Sequence, residues 1–177
     1  MKRLPLGIHT FRRIIEGGYL YVDKTRLRHL LAEASSSPAE QAGLLARRLA
    51  ESIHRDDLSG FFSLLRSLFA SIPYDAFVSD REGYYQTVVY LALALMGVDV
   101  KTEVETNIGR VDAVIETQTR VYVIEFKLGT AEEALQQIRE RRYHERFLHS
   151  GKQVQLVGVG FNPQLRNIGS HATEPAP

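Results

Sequence analysis

The chain has 177 residues, 44% of them hydrophobic, a net charge of +1 and no cysteine. That is enough apolar material for one substantial core without covalent staples, and it excludes disulfides and thiolate metal sites. No run is long and apolar enough to span a bilayer, and Met1-Lys2-Arg3-Leu4-Pro5 lacks a signal-peptide core, so a cytoplasmic protein without a membrane partner is expected.

In chain order, Gly18 to Thr25 is a near miss for a phosphate-binding loop: Lys24-Thr25 fits, but Asp23 stands where glycine is required. A carboxylate there repels phosphate. Asp23-Lys24-Thr25 therefore reads as the start of a helix carrying Leu27, Leu30 and Leu31, and no ATP binding is expected. Ala34-Ser35-Ser36-Ser37-Pro38 is a flexible break. Two amphipathic helices follow, over residues 39–54 and 58–71, the second with Phe61, Phe62, Leu65, Leu68 and Phe69 on its apolar side.

Asp80 is placed to cap a helix over residues 82–96, with Tyr85, Val88, Val89, Ala92 and Leu95 as its stripe and Gly97 ending it. Strands are predicted over 98–106, 110–116 and 120–128, then a helix over 131–148 and a short apolar strand over 154–159. Glu132 and Glu133 in the first turn of that helix, with arginines further on, suit its dipole. The polar, proline-containing segment 164–177 is expected to be a mobile tail.

The second and third strands carry the chemistry. Alternation puts Glu125 and Lys127 on one face. With Thr117 and Gln118 at a hairpin turn, residue 112 lies opposite 123, and the Asp112 and Glu125 stems become diagonal neighbours roughly 7 to 8 Å apart. Two acids and a lysine on a valine-rich face are costly to bury unless they pair or coordinate something, which suits a hard divalent cation with oxygen ligands. A shift of one residue in the hairpin would send Asp112 to the opposite side. The bland reading of the same residues is a strand-end aspartate and a solvated Glu-Lys pair. Catalysis by a thiol, a nucleophile elbow or paired histidines has no support in the sequence.

Gly109-Arg110-Val111-Asp112, Ile124-Glu125-Phe126-Lys127 and Ala134-Leu135-Gln136-Gln137-Ile138 before Tyr143, taken with the element order, resemble the PD-(D/E)XK nuclease superfamily. The nearest likeness is its branch found as the C-terminal domain of AAA-ATPase-like proteins, and it spans roughly residues 56 to 162, with Ile72-Pro73-Tyr74 ahead of the first helix. Leu4-Pro5-Leu6-Gly7-Ile8, Phe11, Tyr19 and Tyr21-Val22-Asp23-Lys24-Thr25 are similar to the opening of the same AAA-ATPase-like family, whose ATP-binding core is absent here.

The resemblance implies an α/β fold with a restriction-endonuclease-like α-β-β-β-α-β core, a mixed sheet flanked by helices, preceded by N-terminal helices. The expected layout is a family remnant over 1–33, a linker and helical bridge over 34–79, a nuclease-like domain over 80–163 and the tail. It also implies Mg²⁺ or Mn²⁺ on Asp112 and Glu125, with the main-chain carbonyl of Phe126 and with Glu82 directly or through water. Lys127 would stand near the attacked phosphate and Gln137 would complete the catalytic set. Glu82 also has a purely helical reading, because a first-turn carboxylate suits the dipole.

From Arg139 to Lys152 five basic residues stand against two acidic ones, a distribution that suits phosphate contacts or a solvated face. Gln137, Arg141 and His144 follow helical spacing along one side, so Arg141, Arg142 and His144 are the expected nucleic-acid contacts, with DNA the expected partner. One such site cuts one strand, so cutting both strands calls for a homodimer. The alternative is a catalytically silent module that keeps the scaffold and binds nucleic acid or protein.

Overall fold

The computed structural model describes residues 38–73, 75, 80–106 and 108–177, with the side chains of the first helix described from residue 43. The expectations for residues 1–33, including the opening helix and the N-terminal likeness, lie outside the described residues.

A five-stranded mixed sheet forms the centre, in the order β1 (Asp99–Glu105), β2 (Arg110–Glu116), β3 (Arg120–Leu128), β4 (Gln153–Asn162), β5 (Asn167–Pro175). Only the β3/β4 pair is parallel. A parallel pair needs a crossover, and α4 (Ala131–Glu140) supplies it across one face. The other face is covered by α1 (Pro38–His54), α2 (Leu58–Ala70) and α3 (Glu82–Leu95). This is the mixed sheet with flanking helices expected for a restriction-endonuclease-like core.

The alternation of β3 divides the core. Tyr122, Ile124 and Phe126 pack with Phe61, Phe69, Tyr85 and Phe161 on the side of α1 to α3. Val121 and Val123 pack with Leu135, Ile138 and Tyr143 on the side of α4. Glycines on β4 let α4 lie close: a Cβ on Gly158 would stand 2.1 Å from the Ala131 carbonyl oxygen, and one on Gly160 would stand 2.4 Å from that of Gly129.

Several boundaries differ from the sequence reading. Arg81, not Asp80, occupies the N-cap of α3 and makes no side-chain cap bond. Leu95 is exposed, whereas Leu93 and Met96 on either side of it are buried, so the buried stripe runs through residues 89, 93 and 96 instead. The long helix expected over 131–148 stops at Glu140, since Arg142 adopts φ 50°, a left-handed conformation that a helix cannot pass through; a 3-10 helix, Tyr143–Phe147, follows.

The expected mobile tail is strand β5. It is antiparallel to β4, and its polar residues have partners that the sequence does not advertise. Arg66 of α2 donates to the Ile168 carbonyl (3.2 Å) and to His171 (3.1 Å), while His171 stacks on Phe62 at 4.3 Å. Glu174 takes both hydrogen bonds of an Arg139 fork at 2.7 Å. The sheet therefore runs to Pro175, beyond the boundary expected at residue 163.

Candidate active site

The β2–β3 hairpin turns at Gln118-Thr119, closed by Thr117 N–H to the Arg120 carbonyl at 2.9 Å. Its register is Ala113↔Ile124, Val114↔Val123 and Ile115↔Tyr122. One further step sets Asp112 across from Glu125 rather than from Val123, a two-residue shift from the expected register that preserves the face. The pairing ends at Ala113↔Ile124, and beyond it the strands fork. The Asp112 carboxylate enters the fork: Phe126 N–H donates to its Oδ2 at 2.9 Å, and Asp112 N–H donates to Glu125 Oε2 at 3.4 Å. Val111 and Val114 both belong to the α4-side cluster, so simple alternation also breaks at Asp112.

Glu125 is 2% exposed, and three elements meet on it. Gln137 of α4 donates from Nε2 to its Oε1, and Lys127 Nζ stands 3.8 Å from the same oxygen. Gln137 can reach because Thr130 closes a capping box with Glu133 at the start of α4 and the β4 glycines seat that helix on the sheet. Glu82, in the first turn of α3, accepts from Leu128 N–H at 2.7 Å and from Gln86 Nε2 at 3.4 Å. Gln86 is buried, a link with no signal in the sequence beyond its i+4 spacing from Glu82.

The electrostatics follow from burial. Removal from water pushes the Asp112 carboxyl up, with Glu82 adding repulsion and Lys127 opposing it; the Phe126 N–H bond also opposes the rise. Burial likewise raises Glu125, with the Asp112 charge as the next cause and Lys127 working against both. Like charges held this close titrate as a pair.

The arrangement fits a divalent cation by its donor chemistry. Two desolvated carboxylates of raised proton affinity share a fork with one ammonium, and the carbonyl of Phe126 lies on the strand between Glu125 and Lys127. Among the described residues no three His, Cys, Asp or Glu side chains form a ready-made metal cluster. A two-carboxylate set suits Mg²⁺, which keeps several waters and rarely takes an all-protein cage.

The basic stretch is less free than its composition suggests. Arg139 is held by Glu174 and Glu132, Arg142 pairs with Glu145, Arg146 donates to the Glu105 carbonyl and Lys152 stands 3.3 Å from Glu116. Arg141, exposed at the C-cap of α4, makes no ion pair among the described residues. His144 does not share a face with Gln137 and Arg141: the break at Arg142 turns it inward, where it is 6% exposed and its Nδ1 has no partner among the described residues. Burial holds its pKa below the usual histidine value.

A family model of the PD-(D/E)XK nuclease superfamily matches residues 80–171, more than half of the chain. The chain belongs to the PD-(D/E)XK nuclease superfamily. A relative, an uncharacterised protein of the vnfD 5′ region of Azotobacter chroococcum mcd 1, is 34% identical over 126 residues, which are 67% of this chain and 24% of that protein. The chain thus spans well under two thirds of that relative's length. No solved structure matches. The acid of β2, the acid-x-lysine of β3 and the glutamine of α4 lie together where β2 parts from β3. No helix among the described residues is long and apolar enough to cross a membrane.

Proposed function

We propose that this PD-(D/E)XK protein is a metal-dependent nuclease that hydrolyses phosphodiester bonds, with DNA as its substrate. The observation that carries the reading is the meeting of Asp112, Glu125, Lys127 and Gln137 where β2 parts from β3. Asp112 and Glu125, with the Phe126 carbonyl, would hold Mg²⁺ or Mn²⁺, and Glu82 would act from behind Leu128 N–H or through water. The bound ion supplies a lowered pKa for the attacking water and charge stabilisation on the phosphoryl group.

The residues of the chain do the rest. Gln137 fixes the Glu125 carboxylate, so that its second oxygen keeps one orientation. Lys127, whose side chain is 31% exposed, reaches the mouth of the fork and can orient the water, take its proton or offset charge on the phosphate. Arg141 supplies a phosphate contact, and Arg142 joins it by leaving Glu145; the burial of His144 removes it from that surface.

A second reading draws on the way the carboxylates satisfy themselves: Asp112 Oδ2 and both oxygens of Glu125 already accept protein donors. On that reading the chain is a silent module that binds nucleic acid or protein. Cleavage assays on single-stranded, duplex and branched DNA with Mg²⁺ or Mn²⁺ separate the two. Loss of cleavage in Asp112→Ala and Lys127→Ala supports the nuclease; cleavage unchanged in both variants, or binding without cleavage under every condition, refutes it. The likeness of Leu4 to Thr25 to the AAA-ATPase-like opening supports a place beside that branch; because one such site cuts one strand, cutting both strands would call for a homodimer, and the absence of cysteine suits a cytoplasmic setting.

A further inference from the structure

At Asp112 the main chain leaves both neighbouring strands. The β1–β2 register passes from Thr102↔Ala113 to Val104↔Val111 without a pair between them, and the β2–β3 register stops at Ala113↔Ile124. Glu103, the residue skipped opposite Asp112, has φ 52°, a left-handed conformation seldom taken by a non-glycine residue within a strand. A carbonyl buried in a sheet needs a partner. That of Asp112 accepts from the Tyr90 hydroxyl of α3 at 2.9 Å.

Tyr90 is 8% exposed, and its ring meets that of Phe126 edge-on at 6.1 Å and 68°. Phe126 is the residue whose N–H holds Asp112 Oδ2. One side chain therefore touches the carbonyl of Asp112 and backs the residue that orients the Asp112 carboxylate. We propose that Tyr90 is a positioning residue of the nuclease site: its hydroxyl takes the place of the strand partner that β1 withdraws at Glu103, and so sets where the Asp112 carboxylate stands relative to Glu125. This rests on the nuclease reading of the fork. Burial, and then the nearby carboxylates of Asp112, Glu103 and Glu125, raise the pKa of the Tyr90 hydroxyl, so it remains a neutral donor at any working pH.

The test compares Tyr90→Phe with Tyr122→Phe, a control that removes another hydroxyl from the helix-bundle side of the sheet, the one donating to Asp56 at 2.5 Å. Mn²⁺ affinity by calorimetry, amide hydrogen exchange at Asp112 and Phe126, and kcat and KM on DNA are measured for each. Tyr90→Phe is expected to weaken Mn²⁺ binding about tenfold, as loss of a group supporting a metal ligand does. It should also speed exchange at both amides and lower kcat at unchanged KM, with excess Mn²⁺ restoring turnover. Tyr122→Phe should alter none of these, whatever it does to the melting temperature.

Wild-type Mn²⁺ affinity and wild-type exchange in Tyr90→Phe overturn the proposal, as do equal changes in the control. If the unmutated chain takes up no Mn²⁺ and cuts nothing, the nuclease reading fails, while exchange at Asp112 and Phe126 still decides whether Tyr90 holds the strand. Should Tyr90→Phe not fold, the unmutated protein answers by NMR. A slowly exchanging Tyr90 hydroxyl proton close to Asp112 supports the proposal, and a freely exchanging one refutes it.

Discussion

Replacing Asp112 by asparagine should stabilise the metal-free protein while abolishing metal binding at the proposed site. Its carboxyl is raised from the usual 3.8 to about 6, chiefly by burial. A folded-state pKa above the unfolded one means that the folded chain binds more protons, so stability is lost as pH rises from the unfolded value through the folded one. The loss is roughly 3 kcal/mol once pH exceeds the folded value and is largely absent near pH 4, and it is shared with Glu125 because the two carboxyls titrate as a pair.

Asparagine keeps the shape and a carbonyl oxygen able to accept from Phe126 N–H, at the cost of about 1 kcal/mol for exchanging a charged acceptor for a neutral one. A net gain of about 1 to 2 kcal/mol at pH 8 corresponds to about 2 to 8 °C in Tm for a domain of this size. Melting of Asp112→Asn and wild type at pH 4 and pH 8 without metal, then with Mn²⁺ at pH 8, is the assay. His144 and His171, whose pKa values are lowered by burial, titrate in both proteins and cancel in the difference. An asparagine variant that melts at or below wild type at pH 8, or an advantage as large at pH 4 as at pH 8, would refute the reasoning.

Mn²⁺ affinity should fall as pH drops from 8 to 6, because the ion must displace protons from a Glu125 carboxyl raised to about 8 and an Asp112 raised to about 6. Calorimetry in buffers of different ionisation enthalpy should register the released protons, and a pH-independent affinity would contradict this. Gly158→Ala should destabilise by about 1 to 3 kcal/mol, since overpacking must be relieved by moving a helix. Its Cβ would fall 2.9 Å from Leu135 N as well as 2.1 Å from the Ala131 carbonyl, so α4 should retreat and Gln137 lose Glu125, with cleavage falling more than stability. Arg141→Ala should weaken DNA binding and reduce its salt slope by about 1 without moving Tm. Arg139→Ala should instead lower Tm and leave DNA binding alone, because Arg139 braces α4 against β5 through Glu174; equal effects of the two variants on binding would count against Arg141.

What could be read from the sequence was what depends on neighbours along the chain. Valines alternating with acids mark β2 and β3; Thr130 with Glu133 marks the start of α4, and Gly97 the end of α3. Together with acid-x-lysine spacing they mark the core and single out Asp112, Glu125, Lys127 and Gln137, side chains that the fold brings together. The turn lies at Gln118-Thr119, two residues from the expected register, and a two-residue slip keeps side chains on their face; at Asp112 itself alternation breaks, and the fork rather than parity sets its carboxylate.

Only tertiary structure decided the contacts between residues distant in sequence. Arg142 breaks the last helix and buries His144 through one left-handed residue, a choice that local pattern does not encode for arginine. The polar segment after residue 164 becomes a strand because Arg66 and Arg139 wait for it on elements far away in the chain. The fork at Asp112, Glu82 on Leu128 and Tyr90 on the Asp112 carbonyl exist only once α3 is packed on the sheet. Local periodicity reports which face a side chain takes, whereas the partner of a buried polar group is set by whatever the folded chain brings opposite it.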